Sequence, residues 1–540
     1  MNNQDLFEKN VWFDTKKCFI DGEWITPQSN SFLPLLNPSN GQEICKIAKC
    51  NEDDVNSAVE SARNSLNNEW GKFSALDRSR ILKKIGNLVE NKINALSLME
   101  SIDVGKPLSQ SKADALSLAR YLEFYSGAAD KVHGDTIPYQ NGYTVYSLRE
   151  PHGVTAHIIP WNYPMQIIGR SVVGALTMGN AVVLKPSEDA CLTALAFADI
   201  CREANLPKGA LNVVTGYGKE TGELLSNHPG VNHISFTGSV PVGKKIQKNA
   251  ADNIVPVTLE LGGKSPQIIF SDANIDEAIP FLLKAGLQNA GQTCSASSRI
   301  LIQKSIYFEV EKALEKNYKK LTVGPAIEDF DVGPLISNKQ IDIVKKYLNS
   351  GSNLKKIAEA KLNDKQVYDG FFISPTLFGE VDPNHVLAQE EIFGPVQVLI
   401  PFDNEDEAIK IANDTKFGLV AGVWTNNGSR QLKNKDIYSH KLDSEILLAR
   451  VLKKTREELL INLNQKIEPQ KISYFNRLID RRSLKEPMAY ILKEKEFWSK
   501  NFLVNNNTLI PRPETELIVE KIANIFKTKD IFVLDIGTGT

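Results

Sequence analysis

VTAHIIPWNYPMQIIGRSVVGALTMGNAVVLKPSE, residues 154–188, opens a region in which short β-rich runs alternate with helical segments. The same alternation continues to about residue 270 through the runs LNVVTG, HISFTG, VTLELGG and PQIIF. Strands that alternate with helices form βαβ units, which predict a parallel sheet covered by helices on both faces. Such a sheet binds ligands in the loops that follow the carboxyl ends of its strands. The sequence therefore predicts an α/β fold and places the candidate site in those loops.

The composition excludes several classes of protein. A chain of 540 residues is too long for one compact core, so two to four domains are expected. The net charge of -2 gives no reason to expect a nucleic acid or an anionic membrane as partner, and no apolar run reaches membrane-spanning length. The six cysteines lack disulfide or metal-site spacing, which favours a reducing compartment. The start MNNQDLFEKN does not look like a signal peptide, so we expect a cytoplasmic protein. From the cysteine spacing we expect no metal site.

The hydrophobic periodicity and composition change several times along the chain. Apolar residues recur at helical spacing between 52 and 130, and a further stretch of alternating elements runs from about 272 to 427. Residues 434–495 return to helical spacing and are rich in Lys, Glu, Leu and Ile. The chain then stops in IFVLDIGTGT, a glycine-rich turn of the kind that normally leads into a helix, so we interpret its end as a truncation.

Two residues are candidates for covalent catalysis. Cys294 lies in the polar, small-residue segment NAGQTCSASSR, and Glu260 lies where the strand-like run VTLE meets a Gly-Gly turn. Taken alone, a cysteine is more often a small buried apolar residue, which is how we interpret the other five, and a glutamate is more often a surface or capping acid. A thiol is only slightly ionised at neutral pH, so a nucleophilic Cys294 would need a nearby base such as Glu260.

Four further motifs follow predicted strands or turns. IIPWNYP (158–164) places Asn162 at a strand end, and KPSE (185–188) ends another strand with a cation and a carboxylate. FTGSVPVG (236–243) sets two glycines around a turn before a helix, and EEIFGP (390–395) presents a carboxylate beside an aromatic ring. Each motif is weak alone, and the glycine pair does not match the dinucleotide fingerprint.

In this order, the motifs resemble the aldehyde dehydrogenase superfamily closely. The resemblance begins at FIDGEW (19–24) and continues to GLVAGVWTN, about four-fifths of the chain. It implies a Rossmann-like NAD domain over 1–260, with an oligomerisation hairpin at 131–150, and a catalytic cysteine domain over 261–427 that lacks its last part. We therefore expect a homo-oligomeric parent enzyme, and in this chain a hairpin without its partner strand.

The resemblance also implies a role for each catalytic residue. Cys294 would attack the aldehyde carbon to give a thiohemiacetal, whose oxyanion would be held by the Asn162 side chain and the backbone N–H of Cys294. Hydride transfer to the nicotinamide would leave a thioester, which water activated by Glu260 would hydrolyse. Because relatives that transfer the acyl group to coenzyme A tend to lack this base, a free carboxylic acid is the expected product.

The cofactor implied by the resemblance is NAD, with NADP as the alternative. Lys185 and Glu188 would bind the adenosine ribose, and the Glu188 carboxylate would repel a 2′-phosphate. The expected cofactor-binding residues are Trp161, Lys185, Ser187, Glu188, Gly238, Ser239, Gly243, Glu391 and Phe393. For Trp161 and Phe393 the alternative is core packing. Arg170 would face the aldehyde tunnel and hold the carboxylate of an acidic aldehyde, unless a neighbouring acid satisfies it.

The C-terminal part resembles a different family, the release-factor glutamine methyltransferases. The matching residues are KLDSEILLARVL (441–452), EPMAY (486–490), KEFWS (495–499), LIPRPETE (509–516) and VLDIGTGT (533–540). The resemblance implies a helical substrate-recognition domain over 428–505 and the first strand of a Rossmann-like methyltransferase domain over 506–540. Asp535, Gly537 and Gly539 would begin an S-adenosylmethionine site that is cut short and not expected to bind well.

The whole chain is therefore interpreted as a chimera of two unrelated genes, whose leading function is non-acylating aldehyde oxidation. One alternative is a methyltransferase fragment that only binds a release factor through its helical domain. The other alternative is an inactive, truncated scaffold.

Overall fold

The computed structural model describes residues 3–362, 369–433, 435–461 and 467–526. The chain divides into two compact units, the first formed by Met1–Ile268 and Ile279–Gly422 and the second by Ile269–Ala278 and Val423–Thr540. No helix among the described residues is both long and apolar enough to cross a membrane.

The strands of both units are numbered in chain order. They are β1 Cys18–Ile20, β2 Glu23–Ile25, β3 Phe32–Leu36, β4 Glu43–Ala48, β5 Thr136–Ile137, β6 Val145–Tyr146, β7 Val154–Ile158, β8 Ala181–Lys185, β9 Leu211–Val213, β10 His233–Thr237, β11 Val257–Glu260, β12 Pro266–Ile269, β13 Arg299–Gln303, β14 Lys355–Glu359, β15 Thr376–Gly379, β16 Val396–Phe402, β17 Gly422–Trp424, β18 Glu494–Phe497 and β19 Lys500–Leu503.

The α-helices are numbered in the same way. They are α1 Asn3–Asn10, α2 Glu52–Asn67, α3 Glu69–Lys72, α4 Ala75–Asn91, α5 Ile93–Asp103, α6 Leu108–Ala128, α7 Pro164–Ile167, α8 Val173–Thr177, α9 Leu192–Glu203, α10 Glu223–Asn227, α11 Val240–Asp252, α12 Ile275–Leu287, α13 Tyr307–Tyr318, α14 Asn338–Ser350, α15 Val386–Gln389, α16 Glu405–Asn413, α17 Gly428–Lys433, α18 His440–Leu452, α19 Arg456–Ile461, α20 Pro469–Ser483, α21 Met488–Leu492 and α22 Pro513–Ile525.

The first sheet has the strand order β11-β10-β7-β8-β9-β1-β2. The five strands from β11 to β9 run parallel, as the alternation of strands and helices predicted. Every residue of β7, β8 and β9 is buried, which explains why these segments read as continuous apolar runs. The edge is completed by β1 and β2, which run antiparallel to their neighbours.

A second sheet belongs to the cysteine-bearing half of the first unit. Within this unit its order is β14-β15-β16-β13-β12. The central strand β16 is parallel to both β15 and β13, whereas β14 is antiparallel to β15. The two sheets turn the loops at their strand ends toward one cavity, described below.

A two-stranded hairpin, β5 with β6, lies within the predicted oligomerisation segment 131–150. Its aromatic side chains are exposed, with 66% of Tyr139 and 68% of Tyr143 accessible. The two rings contact each other edge to face, with centroids 5.8 Å apart.

The described part of the second unit is mainly helical, and it also contains most of β17 and the hairpin of β18 and β19. Leu432, Leu447, Phe475 and Ile479 are among the residues that form its apolar core. The unit also contains an ion pair between the half-buried Arg482 and the buried Asp443, in which Arg482 Nε donates to Asp443 Oδ2 at 2.7 Å. The expected S-adenosylmethionine residues Asp535, Gly537 and Gly539 lie outside the described residues.

The second unit includes a short segment from earlier in the chain. The segment Ile269–Ala278 groups with the residues that follow Gly422. Phe270 N–H donates to the carbonyl of Trp424 at 3.1 Å, and Thr425 Oγ1 donates to the Asp272 carboxylate at 2.9 Å. These contacts join residues about 150 positions apart, so local sequence texture could not reveal them.

Candidate active site

A cavity of about 1200 Å³ lies in the first unit. Trp161 and Asn162 follow β7, Ser239 follows β10 and Glu260 ends β11, so all four reach it from the carboxyl ends of parallel strands. Cys294, Glu391 and Phe393 line the same cavity from the half of the unit that holds the second sheet. The structure therefore brings the three expected catalytic residues together.

The nucleophile loop has an unusual backbone. Asn289, Ala290 and Gly291 are consecutive residues with positive φ, at 49°, 54° and 73°. A Cβ atom at Gly291 would lie 2.2 Å from the carbonyl oxygen of Gly394, so only glycine fits there. This tight turn delivers Cys294, half-buried, to the cavity.

The Cys294 thiol is not activated by its resting surroundings. Burial raises its pKa above the ordinary value, and the charge of Glu391 adds to the shift. Arg170 opposes the shift without cancelling it. Because the thiolate is the nucleophile, this cysteine needs a base to take its proton.

Asn162 is held against the nucleophile loop by two hydrogen bonds. Its side-chain Nδ2 donates to the carbonyl of Gln292 at 2.9 Å, and Asn289 Nδ2 donates to the carbonyl of Asn162 at 3.1 Å. One amide hydrogen of the buried Asn162 remains for another acceptor. An oxyanion formed beside Cys294 is an acceptor of the kind this amide can bind.

Glu260 is the last residue of β11 and its side chain is exposed to the cavity. It pairs with Thr237 in the parallel ladder, and its carbonyl accepts the N–H of Gly238 at 3.0 Å. The candidate base and the glycine turn at 238–239 are therefore fixed to each other through the sheet.

The turn after β8 contains a buried ion pair. Lys185 Nζ donates to Glu188 Oε2 at 3.2 Å, and the Glu188 carboxylate also accepts the N–H of Gly218. Burial lowers the pKa of Lys185, although the charge of Glu188 opposes it. Burial opposes ionisation of Glu188, but the charge of Lys185 and the hydrogen bonds outweigh it and lower the pKa of this carboxyl. Glu188 is therefore a preformed carboxylate.

The expected cofactor residues do not all reach the cavity wall. Trp161, Gly238, Ser239, Glu391 and Phe393 line it, whereas Lys185, Ser187, Glu188 and Gly243 are not among its lining residues. Gly243 is buried inside α11, where a Cβ atom would lie 2.5 Å from Leu261 Cδ2. Its absence of a side chain serves helix packing. Ser239 is the N-cap residue of α11 and makes no side-chain capping hydrogen bond, so its hydroxyl faces a helix N-terminus that favours anions.

Asp189, which the sequence motifs did not single out, lines the cavity beside Glu188. The Asp189 side chain is accessible to solvent, but the surrounding cavity walls remove part of its hydration. This burial raises the pKa of Asp189 to about 6, with the charge of Glu188 adding to the shift and Lys185 and Lys339 opposing it. Two carboxyl groups therefore stand side by side at this end of the cavity.

Glu391 and Phe393 occupy another part of the wall. Glu391 Oε1 accepts the N–H of Gly263 at 3.1 Å, and burial raises its pKa. The rings of Phe393 and Trp161 contact edge to face with centroids 5.4 Å apart. Gln340 also lines the cavity and donates to the carbonyl of Phe393 at 2.9 Å, although no local motif pointed to it.

Arg170 lies in a π-helical turn and lines the cavity. Its Nε donates to the Tyr121 hydroxyl at 3.0 Å and its Nη2 donates to Gln166 Oε1 at 3.1 Å. Both of these hydrogen-bond partners of the guanidinium are neutral groups.

A buried charge cluster adjoins the cavity, and its Asp114 is one of the lining residues. The fully buried Lys106 ammonium contacts Glu100 at 2.7 Å and also pairs with Asp114. Its Nζ lies 3.8 Å from the ring centroid of Tyr163. Tyr163 follows Asn162 directly, so the cluster supports the segment that carries the oxyanion donor.

The residues that line the cavity, together with Glu188 beside the lining residue Asp189, fit a nicotinamide dinucleotide. Carboxylates at Glu188 and Glu391 can accept hydrogen bonds from ribose hydroxyls, and the N-terminus of α11 suits a pyrophosphate. The Glu391 carboxylate packs directly against Gly262, where a Cβ atom would lie only 2.0 Å from Glu391 Oε2. Among the described residues there is no cluster of His, Cys, Asp and Glu that could hold a metal ion.

Comparison with known proteins separates the chain into two parts. The model of the aldehyde dehydrogenase family matches residues 24–437, and that of the PrmC N-terminal domain matches residues 424–492. Aldehyde dehydrogenase family 2 member B4, mitochondrial, of Arabidopsis thaliana is 41% identical over 429 residues, which are 78% of this chain and 79% of the relative.

Solved structures agree with the first match. A putative aldehyde dehydrogenase from Burkholderia cenocepacia has a TM-score of 0.77 and 51% identity, over 77% of this chain and 88% of that chain. The NAD+ complex of aldehyde dehydrogenase from Bacillus cereus has a TM-score of 0.76 and 34% identity, over 79% of this chain and 88% of that chain.

Proposed function

This chain belongs to the aldehyde dehydrogenase family, and we propose that it oxidises an aldehyde to a free carboxylic acid through a covalent intermediate on Cys294. The family match and the fold confirm the expected enzyme class. The covalent mechanism with a free acid as product is supported by one observation: Cys294, Asn162 and Glu260 line the same cavity.

The chemistry of these residues supports distinct roles. The Cys294 thiol attacks the aldehyde carbon. Because burial disfavours the thiolate, a base must take the thiol proton as the sulfur attacks. The Asn162 amide and the backbone N–H of Cys294 stabilise the oxyanion, a contribution of about 10²–10³ in rate for one such donor. Glu260 accepts a proton from the water that hydrolyses the thioester, which releases the acid and restores the thiol.

NAD is the proposed cofactor, and when bound it would supply the oxidant that accepts two electrons and hydrogen from the substrate carbon. Glu391, Phe393, Trp161 and Ser239 would hold it in the cavity. Lys185 with Glu188 and Ser187 would hold its adenosine ribose, and the ionised Glu188 favours NAD over NADP. The solved Bacillus cereus relative binds NAD+.

Glu260→Gln tests the assignment of the base. We expect a burst of about one NADH for each chain, in which water instead of Glu260 takes the thiol proton, followed by turnover slowed about 10²–10⁴-fold, because thioester hydrolysis loses its base. Stopped-flow absorbance with NAD and a panel of aldehydes measures both phases. Glu203→Gln, a change at a surface ion pair, serves as the matched control. A variant that turns over without a burst at the wild-type rate would show that another group is the base.

We further propose that Arg170 favours aldehydes that carry a distal carboxylate. Its guanidinium lines the cavity and is bonded to neutral partners, which leaves its charge available to an anion. Arg170→Ala should raise KM for an acidic aldehyde about tenfold or more and leave KM for a neutral aldehyde of similar length unchanged. Equal changes for both substrates would contradict the proposal.

A second candidate function rests on the PrmC N-terminal domain match. The helices of the second unit have their own apolar core, so this region can act as a protein-binding module for a release factor. The test is capture of a purified release factor by the whole chain. Capture that is lost when Arg482→Met and Asp443→Leu together remove the ion pair of the second unit would support this function. Absence of capture by the folded wild-type chain would exclude it.

A further inference from the structure

The segment that carries Asn162 and the loop that carries Cys294 are joined at three points. Two of them are hydrogen bonds to backbone carbonyls: the Asn162 amide donates to Gln292, and the Asn289 amide donates to Asn162. The third joins two side chains, the hydroxyls of Tyr163 and Thr293, with the oxygens 2.8 Å apart. Tyr163 directly follows the oxyanion amide and Thr293 directly precedes the nucleophile.

We propose that Tyr163 is a positioning residue whose hydroxyl, through Thr293, sets the backbone N–H of Cys294 relative to the side-chain amide of Asn162. This inference rests on the proposed function, in which those two groups bind the oxyanion. Both donors must point at one oxygen atom to be effective, and an error of about 1 Å in such a site costs on the order of 10² in rate.

The Tyr163 ring is held firmly enough to act in this way. Lys106 Nζ lies 3.8 Å from its centroid, and this ammonium is fixed by Glu100 and Asp114 in a dehydrated cluster. A cation over an aromatic face is attracted more strongly when water is excluded. Burial raises the pKa of the Tyr163 hydroxyl to about 12, so the phenol keeps its proton and can donate to Thr293 at all working pH values.

The partner side is equally constrained. Thr293 is buried and follows the three left-handed residues at 289–291, so its backbone has little freedom. Removal of either hydroxyl leaves the other without this partner, whereas removal of both leaves neither hydroxyl unpaired. The two positions should therefore be energetically coupled, and their effects should not add.

The test compares Tyr163→Phe, Thr293→Val and the double variant. Three rates are measured: NADH formation, hydrolysis of p-nitrophenyl acetate, and labelling of Cys294 by iodoacetamide. Turnover and ester hydrolysis pass through an oxyanion, whereas alkylation of the thiol does not. Tyr318→Phe is the matched control, because it also removes a buried hydroxyl, bonded to Gln397 at 2.7 Å, but lies outside the cavity lining.

We expect each single variant to lower kcat for aldehyde and ester about tenfold while labelling changes less than twofold, and the double variant to fall no further than the singles. Tyr318→Phe should leave all three rates unchanged. Labelling that falls as much as turnover, or a double loss equal to the product of the single losses, would overturn the inference. A wild-type chain that hydrolyses the ester without forming NADH would contradict the proposed oxidation, yet the ester and labelling rates would still decide the role of Tyr163.

Discussion

At the residue scale, we expect Asp189 to affect the preference for NAD over NADP. It stands beside the ionised Glu188 at the cavity wall, and its pKa of about 6 lies within the working range of an enzyme. Below that pH Asp189 is mostly neutral, and above it the site carries two negative charges. A 2′-phosphate on the cofactor should therefore be repelled more strongly as the pH rises.

Asp189→Asn removes the second charge at every pH. We expect the variant to bind NADP about fivefold more tightly relative to NAD at pH 7.5, and to differ little from the wild type at pH 5. Calorimetric titration with both cofactors at the two pH values measures this preference without turnover. The 2′-phosphate titrates in the same range, so the comparison between variant and wild type isolates the contribution of Asp189. An identical preference at pH 7.5 would contradict the role.

At the scale of elements, the charge cluster between α5 and α6 explains how these helices pack. Glu100 comes from α5 and Asp114 from α6, and Lys106 lies in the turn between them. Burial raises the pKa of Glu100 well above its ordinary value, which favours its protonated form. For Asp114 burial acts in the same direction, but the charge of Lys106 outweighs it and lowers the pKa. The ion pair with Lys106 is therefore assigned to Asp114 in preference to Glu100.

This assignment makes two substitutions unequal. Lys106→Met strands a buried carboxylate and should lower the free energy of unfolding by about 3–5 kcal/mol. Glu100→Gln places a neutral amide where the raised pKa favours a neutral acid, and should lower the free energy of unfolding by less than about 1.5 kcal/mol. Urea unfolding of the purified variants, followed by circular dichroism, measures both values. Comparable losses would show that Glu100 is ionised in the folded protein.

The elements also show what the sequence can and cannot predict. The strands β7 and β8 were predicted because buried parallel strands are continuous apolar runs, and Cys294 and Glu260 because they sit in recognisable motifs. Gln340, Asp189 and the bond between Tyr163 and Thr293 escaped prediction because their roles arise from contacts between distant segments. The grouping of Ile269–Ala278 with the second unit has the same cause.

At the scale of the whole molecule, the exposed hairpin of β5 and β6 favours self-association. Exposed aromatic side chains on a two-stranded hairpin are typical of a surface that another chain covers, and a second copy of this chain is the proposed occupant. The family resemblance implies a homo-oligomer for the parent enzyme only, since the hairpin of this chain is expected to lack its partner strand.

Substitution of both Tyr139 and Tyr143 by Ser should lower the mass in solution from that of an oligomer to that of a monomer, as light scattering after gel filtration measures it. Phe308→Ser, which alters an exposed ring on α13, provides the comparison and should leave the mass unchanged. A wild-type chain that is already monomeric would contradict the expected assembly.

The contact between Trp161 and Phe393 gives the chain an optical probe of its own. Trp161 lies in the cavity, so its emission should be quenched when a nicotinamide ring enters, and the depth of quenching should follow the occupied fraction. The signal of the other five tryptophans can be subtracted with Trp161→Phe as the blank. Ligand affinity can then be determined at equilibrium by fluorescence, before any substrate is known.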